Sequence, residues 1–263
     1  MILIDTLTLR VEVDVRPVFI YGRYIKNTRE IPQTRWPCRS CRGRKGGCEA
    51  CESSGLQYPD SVQDLIGRPL VTGMGAVDTA FHGMGREDID VRCLGEGRPF
   101  VLEVKSPRSR SPELVDYESI ISSTSDGRVE VKSLRFSDRK EVARIKQTRS
   151  EKTYTIRFKT KEPIDKEKAE SLILSLSGEI VEQQTPKRVS HRRADKNRRR
   201  RIISVDEVSS EGDEIEVTLR CEAGTYIKEL IHSDEGRTNP SVAGVLETAV
   251  SYTHLTLPTN DLV

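Results

Sequence analysis

Phe81-His82-Gly83-Met84-Gly85-Arg86-Glu87-Asp88-Ile89-Asp90-Val91-Arg92 is the stretch on which the reading of this chain turns. It sets a carboxylate, Asp88, two residues after an arginine and just beyond a glycine-marked turn. A second stretch, Ala223-Gly224-Thr225-Tyr226-Ile227-Lys228-Glu229-Leu230, ends an alternating apolar strand in a glycine and then offers a phenol and an amine. An acid that acts on a nucleic-acid base needs such companions: a ring to stack on the base and a fixed cation to keep the acid ionised.

Around these stretches lie 263 residues, enough for one large domain or two small ones. Hydrophobic content is 35% and charged content 32%, which describes a polar, soluble protein. No run of about 18 apolar residues is present, so an ordinary membrane span is excluded. The first ten residues alternate like a strand and lack the plan of a signal peptide, so a cytoplasmic protein is expected. The net charge of +2 says little, but its distribution says more. Between Lys187 and Arg201 nine Lys or Arg residues face one Asp, among them Arg188, Arg192, Arg193 and the unbroken run Arg198-Arg199-Arg200-Arg201. Such a segment reads either as a solvated surface loop or as the electrostatic footprint that a phosphate backbone selects.

Cys38, Cys41, Cys48 and Cys51 form C-x2-C-x6-C-x2-C, with Gly43, Gly46 and Gly47 allowing sharp turns between the pairs. Two such turns can close a tetrahedron of thiolates around zinc, and four protein ligands leave no open position, so the metal would be structural. The alternative is a pair of disulfides, which a cytoplasmic protein would not normally keep. Cys93 and Cys221 stand apart and read as packing residues.

Ile2 to Tyr24 is strand-like. Ser61 caps a short helix that Gly67 is expected to end. Pro99 to Lys105 reads as a strand and 106–111 as a loop. Asp138 opens another helix. Glu151 to Lys159 alternates so that Tyr154, Ile156 and Phe158 share a face. Asp165 to Leu176 carries an apolar stripe of Ala169, Leu172, Ile173 and Leu176, stopped by Gly178. Ile202 to Val208 and Glu214 to Leu219 are further strands. Strands and helices without regular alternation indicate the α+β class.

The first stretch, followed by Gly97-Arg98-Pro99-Phe100, resembles the archaeal and eukaryotic tRNA pseudouridine synthases of the Pus-ten family. So do Tyr21-Gly22-Arg23-Tyr24, Gln184-Thr185-Pro186, His191-Arg192-Arg193 and Gly236-Arg237-Thr238. The resemblance implies a pseudouridine synthase core with a mixed, mainly antiparallel sheet and a small zinc-knuckle insertion. It also implies a tRNA partner met at its TΨC arm, a monomeric enzyme and no cofactor for catalysis. Beside these motifs RNA contact is the favoured reading of Lys187, Arg188, Arg192, Arg193 and Arg198 to Arg201. Asp88 would be the catalytic aspartate, as nucleophile or as base. Lys228 would be the basic residue paired with it, Tyr154 the ring that stacks on the base, Tyr226 a substrate contact, and Arg86 a holder of the flipped nucleotide.

Each residue also has a plain reading, with Tyr154 and Tyr226 as core packing and Lys228 as a solvated helix lysine. In an extended segment Asp88 and Asp90 would share a face, and paired carboxylates raise one another's pKa, so the motif alone selects Asp88. A catalytically silent RNA-binding zinc protein on the same scaffold is the rival function. A methyltransferase or deaminase is disfavoured, because no glycine-rich cofactor loop and no H-x-E with P-C-x-x-C arrangement is present.

The expected organisation is a catalytic start at 1–30, the knuckle at 31–58, the catalytic domain at 59–249 and a tail at 250–263. Family members usually carry an additional N-terminal RNA-binding domain. The tail reads like a translated transposon-end sequencing adapter, and the family's final strand is then expected to be missing.

Overall fold

The computed structural model describes residues 2–259. Two compact units form. One comprises the chain up to Cys93 together with Gly97–Thr148, and the other Leu94–Glu96 with the residues from Arg149 onward. The division near Thr148 falls inside the stretch 59–249.

The first unit begins with a two-stranded hairpin, β1 (Ile2–Asp5) and β2 (Arg10–Val13), and continues into β3 (Val18–Lys26). After the cysteine segment come α1 (Val62–Met74), β4 (Asp78–Gly83), β5 (Val91–Lys105), α2 (Leu114–Thr124), β6 (Val129–Ser137) and α3 (Arg139–Gln147). The strands pair antiparallel in the order β4-β5-β3-β6. Alternation along β3 and β5 serves two apolar faces. Ile20, Tyr24, Phe100, Leu102 and Val104 are buried on one. On the other, Tyr21, Met84 and Val101 form a cluster with Val142 and Ile145 of α3.

Ser61 caps α1 as expected, its hydroxyl accepting from Asp64 N. Gly67 does not end the helix, which runs on through Pro69 to a left-handed cap at Gly75. The glycine is there for contact: a Cβ at position 67 would lie 2.8 Å from Thr79 Oγ1 of β4. Helix and strand approach too closely for any larger residue.

The second unit contains β7 (Lys152–Thr160), α4 (Lys166–Leu174), β8 (Ile180–Gln184), β9 (Asn197–Glu211), β10 (Glu214–Cys221), α5 (Ile227–His232), β11 (Thr238–Asn239), α6 (Val242–Val245) and β12 (Val250–Thr259). Its strands pair antiparallel in the order β11-β8-β9-β10-β7-β12. Ile156, Phe158, Val217 and Leu219 are fully buried, as are Ala169 and Ile173 of α4, which packs on β9. Cys93 and Cys221, one in each unit, are both fully buried, and burial pushes each thiol up to about 12.

One open reading and one expectation differ from what forms. The basic run 198–201 is not the solvated loop of its plainer reading: it lies on β9, with Arg198↔Gln183 through Arg201↔Ile180 paired to β8. The final strand is not missing either. Val250–Thr259 is β12, paired with β7 from Val250↔Thr160 to Thr256↔Thr155. The reason is its pattern, since Leu255 and Leu257 point one way and are buried at 5% and 0% exposure. Asn260 to Val263, the end of the tail, lie outside the described residues.

Candidate active site

In the first unit the residues between β4 and β5 form a loop fixed at several of its peptides on either side of Asp88. Arg98 Nη1 donates to Met84 O at 2.9 Å, and Gln33 Nε2 to Gly85 O at 3.1 Å. Lys26 Nζ donates to Ile89 O at 3.0 Å, and Arg29 Nη1 to Asp90 O at 2.6 Å. Backbone bonds from Glu30 N to Ile89 O and from Met84 N to Pro99 O add to these. The extended geometry that would set Asp88 and Asp90 on one face does not occur. Val91 N donates back to Asp88 O at 3.1 Å and closes a turn between the two carboxylates.

Glu87 is a residue of this loop to which the sequence reading gives no role. It is buried, accepting at Oε2 from Tyr24 Oη at 2.7 Å and Gln33 Nε2 at 3.2 Å, with Arg98 Nε at 3.4 Å. Burial, reinforced by the Glu87 carboxylate, pushes the Tyr24 phenol well above its ordinary range and keeps it a donor. Burial also draws Lys26 down, against the pull of Glu87. The Tyr24 ring is held edge-on by Phe81 and Phe100, which stack at 5.1 Å. Arg86 projects from the same loop with its guanidinium 5.4 Å from the Trp36 ring, and Trp36 in turn packs edge-on against Tyr58.

In the second unit Tyr154 sits half-buried on β7, opposite Leu219 of β10. Tyr226 stands at the start of α5, its backbone gripped on both sides by one buried amide: Tyr226 N donates to Gln183 Oε1 at 2.8 Å and Gln183 Nε2 donates to Tyr226 O at 2.9 Å. Lys228, in the first turn of α5, has its ammonium 5.1 Å from the Tyr252 ring of β12.

Strand alternation divides the basic run. Arg198 lies 5.7 Å over the Tyr226 ring and Arg200 beside Gly224, on one face of β9. Arg199 and Arg201 point the other way, Arg199 toward Glu182 at 3.5 Å and Arg201 to Gly178 O at 3.0 Å. Arg188 forms a two-pronged pair with Glu229, at 2.6 Å and 3.3 Å. Lys187 pairs with Glu235, and Arg193 is exposed. The side chain of Arg192 lies outside the described residues.

Cys38, Cys41, Cys48 and Cys51 bring their four sulfurs within 4.8 Å of one another. The sulfur–sulfur separations are 3.9 Å for Cys38–Cys48, 3.9 Å for Cys41–Cys51 and 3.7 Å for Cys48–Cys51. A tetrahedral metal with bonds of about 2.3 Å requires sulfurs about 3.8 Å apart, so this cluster fits a metal ion. A disulfide would need about 2.05 Å, and all six cysteines are free. Cys51 is drawn down to about 6: burial opposes ionisation, but donation from Cys48 N and Gly55 N, both at 3.2 Å, outweighs it. Cys48 is pushed up to about 11 by burial and the neighbouring sulfurs, a crowding that a bound cation relieves.

A family model described as "Pus10, C-terminal" matches residues 19–259. The tRNA pseudouridine synthase Pus10 of Methanothrix thermoacetophila is 49% identical over 237 residues, covering 90% of this chain and 52% of that protein. Its namesake from Methanocaldococcus jannaschii is 46% identical over 243 residues, covering 92% and 53%. A chain in a crystal structure of a Cbf5-Nop10-Gar1 complex aligns with TM-score 0.44 and 14% identity over 74% of this chain and 44% of that one. The chain belongs to the Pus10 C-terminal family. It spans about half the length of the curated relatives named here. Among the described residues no helix is long and apolar enough to cross a membrane.

Proposed function

We propose that this chain is the catalytic portion of a cytoplasmic tRNA pseudouridine synthase acting on uridine in the TΨC arm. The reaction breaks the bond from uracil N1 to the ribose carbon and forms a bond from C5 to that same carbon. The C5 hydrogen leaves as a proton and N1 regains one, so no oxidant or reductant is needed. Asp88 acts at the sugar, Lys228 is the accompanying cation, and Tyr154 supplies the stacking ring, with Tyr226 and Arg86 contacting the extruded nucleotide. Zinc occupies the four-thiol cluster in a structural role, because closed tetrathiolate sites leave no position for water.

The observation that carries this reading is the position of Asp88. It is the carboxylate the motif selects among Glu87, Asp88 and Asp90, on a loop tethered by side-chain donors at the carbonyls of Met84, Gly85, Ile89 and Asp90. Such fixing is what a group that must meet a reacting carbon requires. Relatives 40–49% identical carry the name of this activity. The exposed Arg193 and the Arg198/Arg200 face of β9 support contact with a phosphate backbone. The test is release of tritium from tRNA transcript labelled at uridine C5. Time-dependent release at a TΨC-loop uridine is expected, and none from a folded, metal-loaded chain would overturn the assignment.

A further inference from the structure

Glu87 carries its carboxylate from the Asp88 loop into the buried polar cluster beneath it. Its side chain is 2% exposed, that of Arg98 3%, and Tyr24, Lys26 and Gln33 are also buried. Each of its partners serves the loop twice or is set by the core. Gln33 Nε2 reaches Glu87 Oε2 and also Gly85 O, while Arg98 approaches Glu87 Oε2 and also donates to Met84 O. Tyr24 is locked between Phe81 and Phe100 and donates its hydroxyl to Glu87. Lys26, a second buried cation, donates to Ile31 O and Ile89 O and so ties the far end of the loop to the same cluster.

Stability alone does not account for Glu87. Its Oε1 is buried with no hydrogen-bond partner among the described residues, and an unmatched carboxylate oxygen opposes folding. Both hydrogen bonds to the carboxylate and the approach of Arg98 are made at Oε2. The side chain is therefore a strut of fixed length between the core and the peptide next to Asp88.

We propose that Glu87 is a positioning residue that sets the place of the Asp88 carboxylate by holding the adjoining backbone against Tyr24, Gln33 and Arg98. This rests on Asp88 being the catalytic group. Glu87→Asp keeps the charge but shortens the strut by one carbon–carbon bond, about 1.5 Å. Glu87→Gln keeps the length but removes the buried negative charge that faces Lys26 and Arg98, which is the larger cost to folding.

The two variants therefore separate reach from stability. Glu87→Asp is expected to lower the single-turnover rate on tRNA by roughly 10²-fold, the effect of about 1 Å of misplacement, with tRNA Kd unchanged. Glu87→Gln is expected to melt at the lower temperature of the two yet keep the higher rate. Amide hydrogen exchange adds a readout independent of turnover: Glu87→Asp should speed exchange across Gly85–Val91 and leave the cysteine segment unchanged. If rate and melting temperature fall in the same order in the two variants, or loop exchange is unchanged, the proposal is overturned. If the wild-type chain forms no pseudouridine, the catalytic reading falls, and the exchange measurement still decides whether Glu87 anchors the loop.

Discussion

Arg188→Met distinguishes an arginine that binds RNA from one that holds the protein together. Sequence composition places Arg188 in the basic segment, but its guanidinium meets Glu229 at 2.6 Å and 3.3 Å. Glu229 is 1% exposed and Arg188 36% exposed. Removing the cation strands a carboxylate inside the second unit, in the first turn of α5. Breaking a buried pair costs about 3–5 kcal/mol, and the partial exposure of Arg188 argues for about 3 kcal/mol. At about 2–4 °C per kcal/mol the melting temperature should fall by about 6–12 °C. Adding Glu229→Gln should recover most of the loss, because the stranded charge is then gone. The assay is thermal and urea unfolding of the two single variants and the double variant, with tRNA binding measured across a salt series. The slope of log affinity against log salt should be unchanged in Arg188→Met, since no phosphate contact is lost. Stability within about 0.5 kcal/mol of wild type, the scatter of ordinary surface substitutions, together with a shallower salt slope would refute the reasoning and return Arg188 to the RNA surface.

Elemental analysis of protein purified without added metal should find one zinc per chain, and Cys51→Ser should lose it along with stability. Replacing Arg198 and Arg200 together by Ser should weaken tRNA binding and reduce the salt slope by about 2; the pair Arg199 and Arg201, on the other face of β9, should do less, and equal effects would contradict the strand assignment. Deleting the residues from Val250 onward should destabilise the second unit by several kcal/mol, at about 1.5–3 kcal/mol for each of the buried Leu255 and Leu257, and should leave an edge of β7 unpaired. An unchanged unfolding midpoint after that deletion would show that β12 contributes nothing.

What could be read in advance was whatever local pattern fixes. Asp138 caps its helix by accepting from Glu141 N, and the helix read from Asp165 forms as Lys166–Leu174. The alternation of Ile156 and Phe158 gave β7 its buried face, and the cysteine spacing gave the cluster. Local punctuation misled where a tertiary contact overrode it. Gly67 looked like a stop and is a contact point with Thr79, while four successive arginines looked like a loop and are held in β9 by pairing with β8. β12 escaped because the apparent origin of the tail outweighed its own alternation of buried leucines. Glu87 left no sequence signal at all. Its partners come from β3 (Tyr24), the segment after β3 (Gln33) and β5 (Arg98), and only folding brings them together.

The most direct test of the account compares Asp88→Asn with Asp90→Asn. Both substitutions keep size and remove one charge, and the turn closed by Val91 N on Asp88 O separates the two positions. Pseudouridine is mapped by sequence position on unmodified tRNA after incubation with each variant, and tRNA binding is measured in parallel. The account predicts that Asp88→Asn abolishes pseudouridine while binding survives, because phosphate contacts dominate affinity, and that Asp90→Asn stays active. Near-full activity in Asp88→Asn, or inactivity confined to Asp90→Asn, would contradict it.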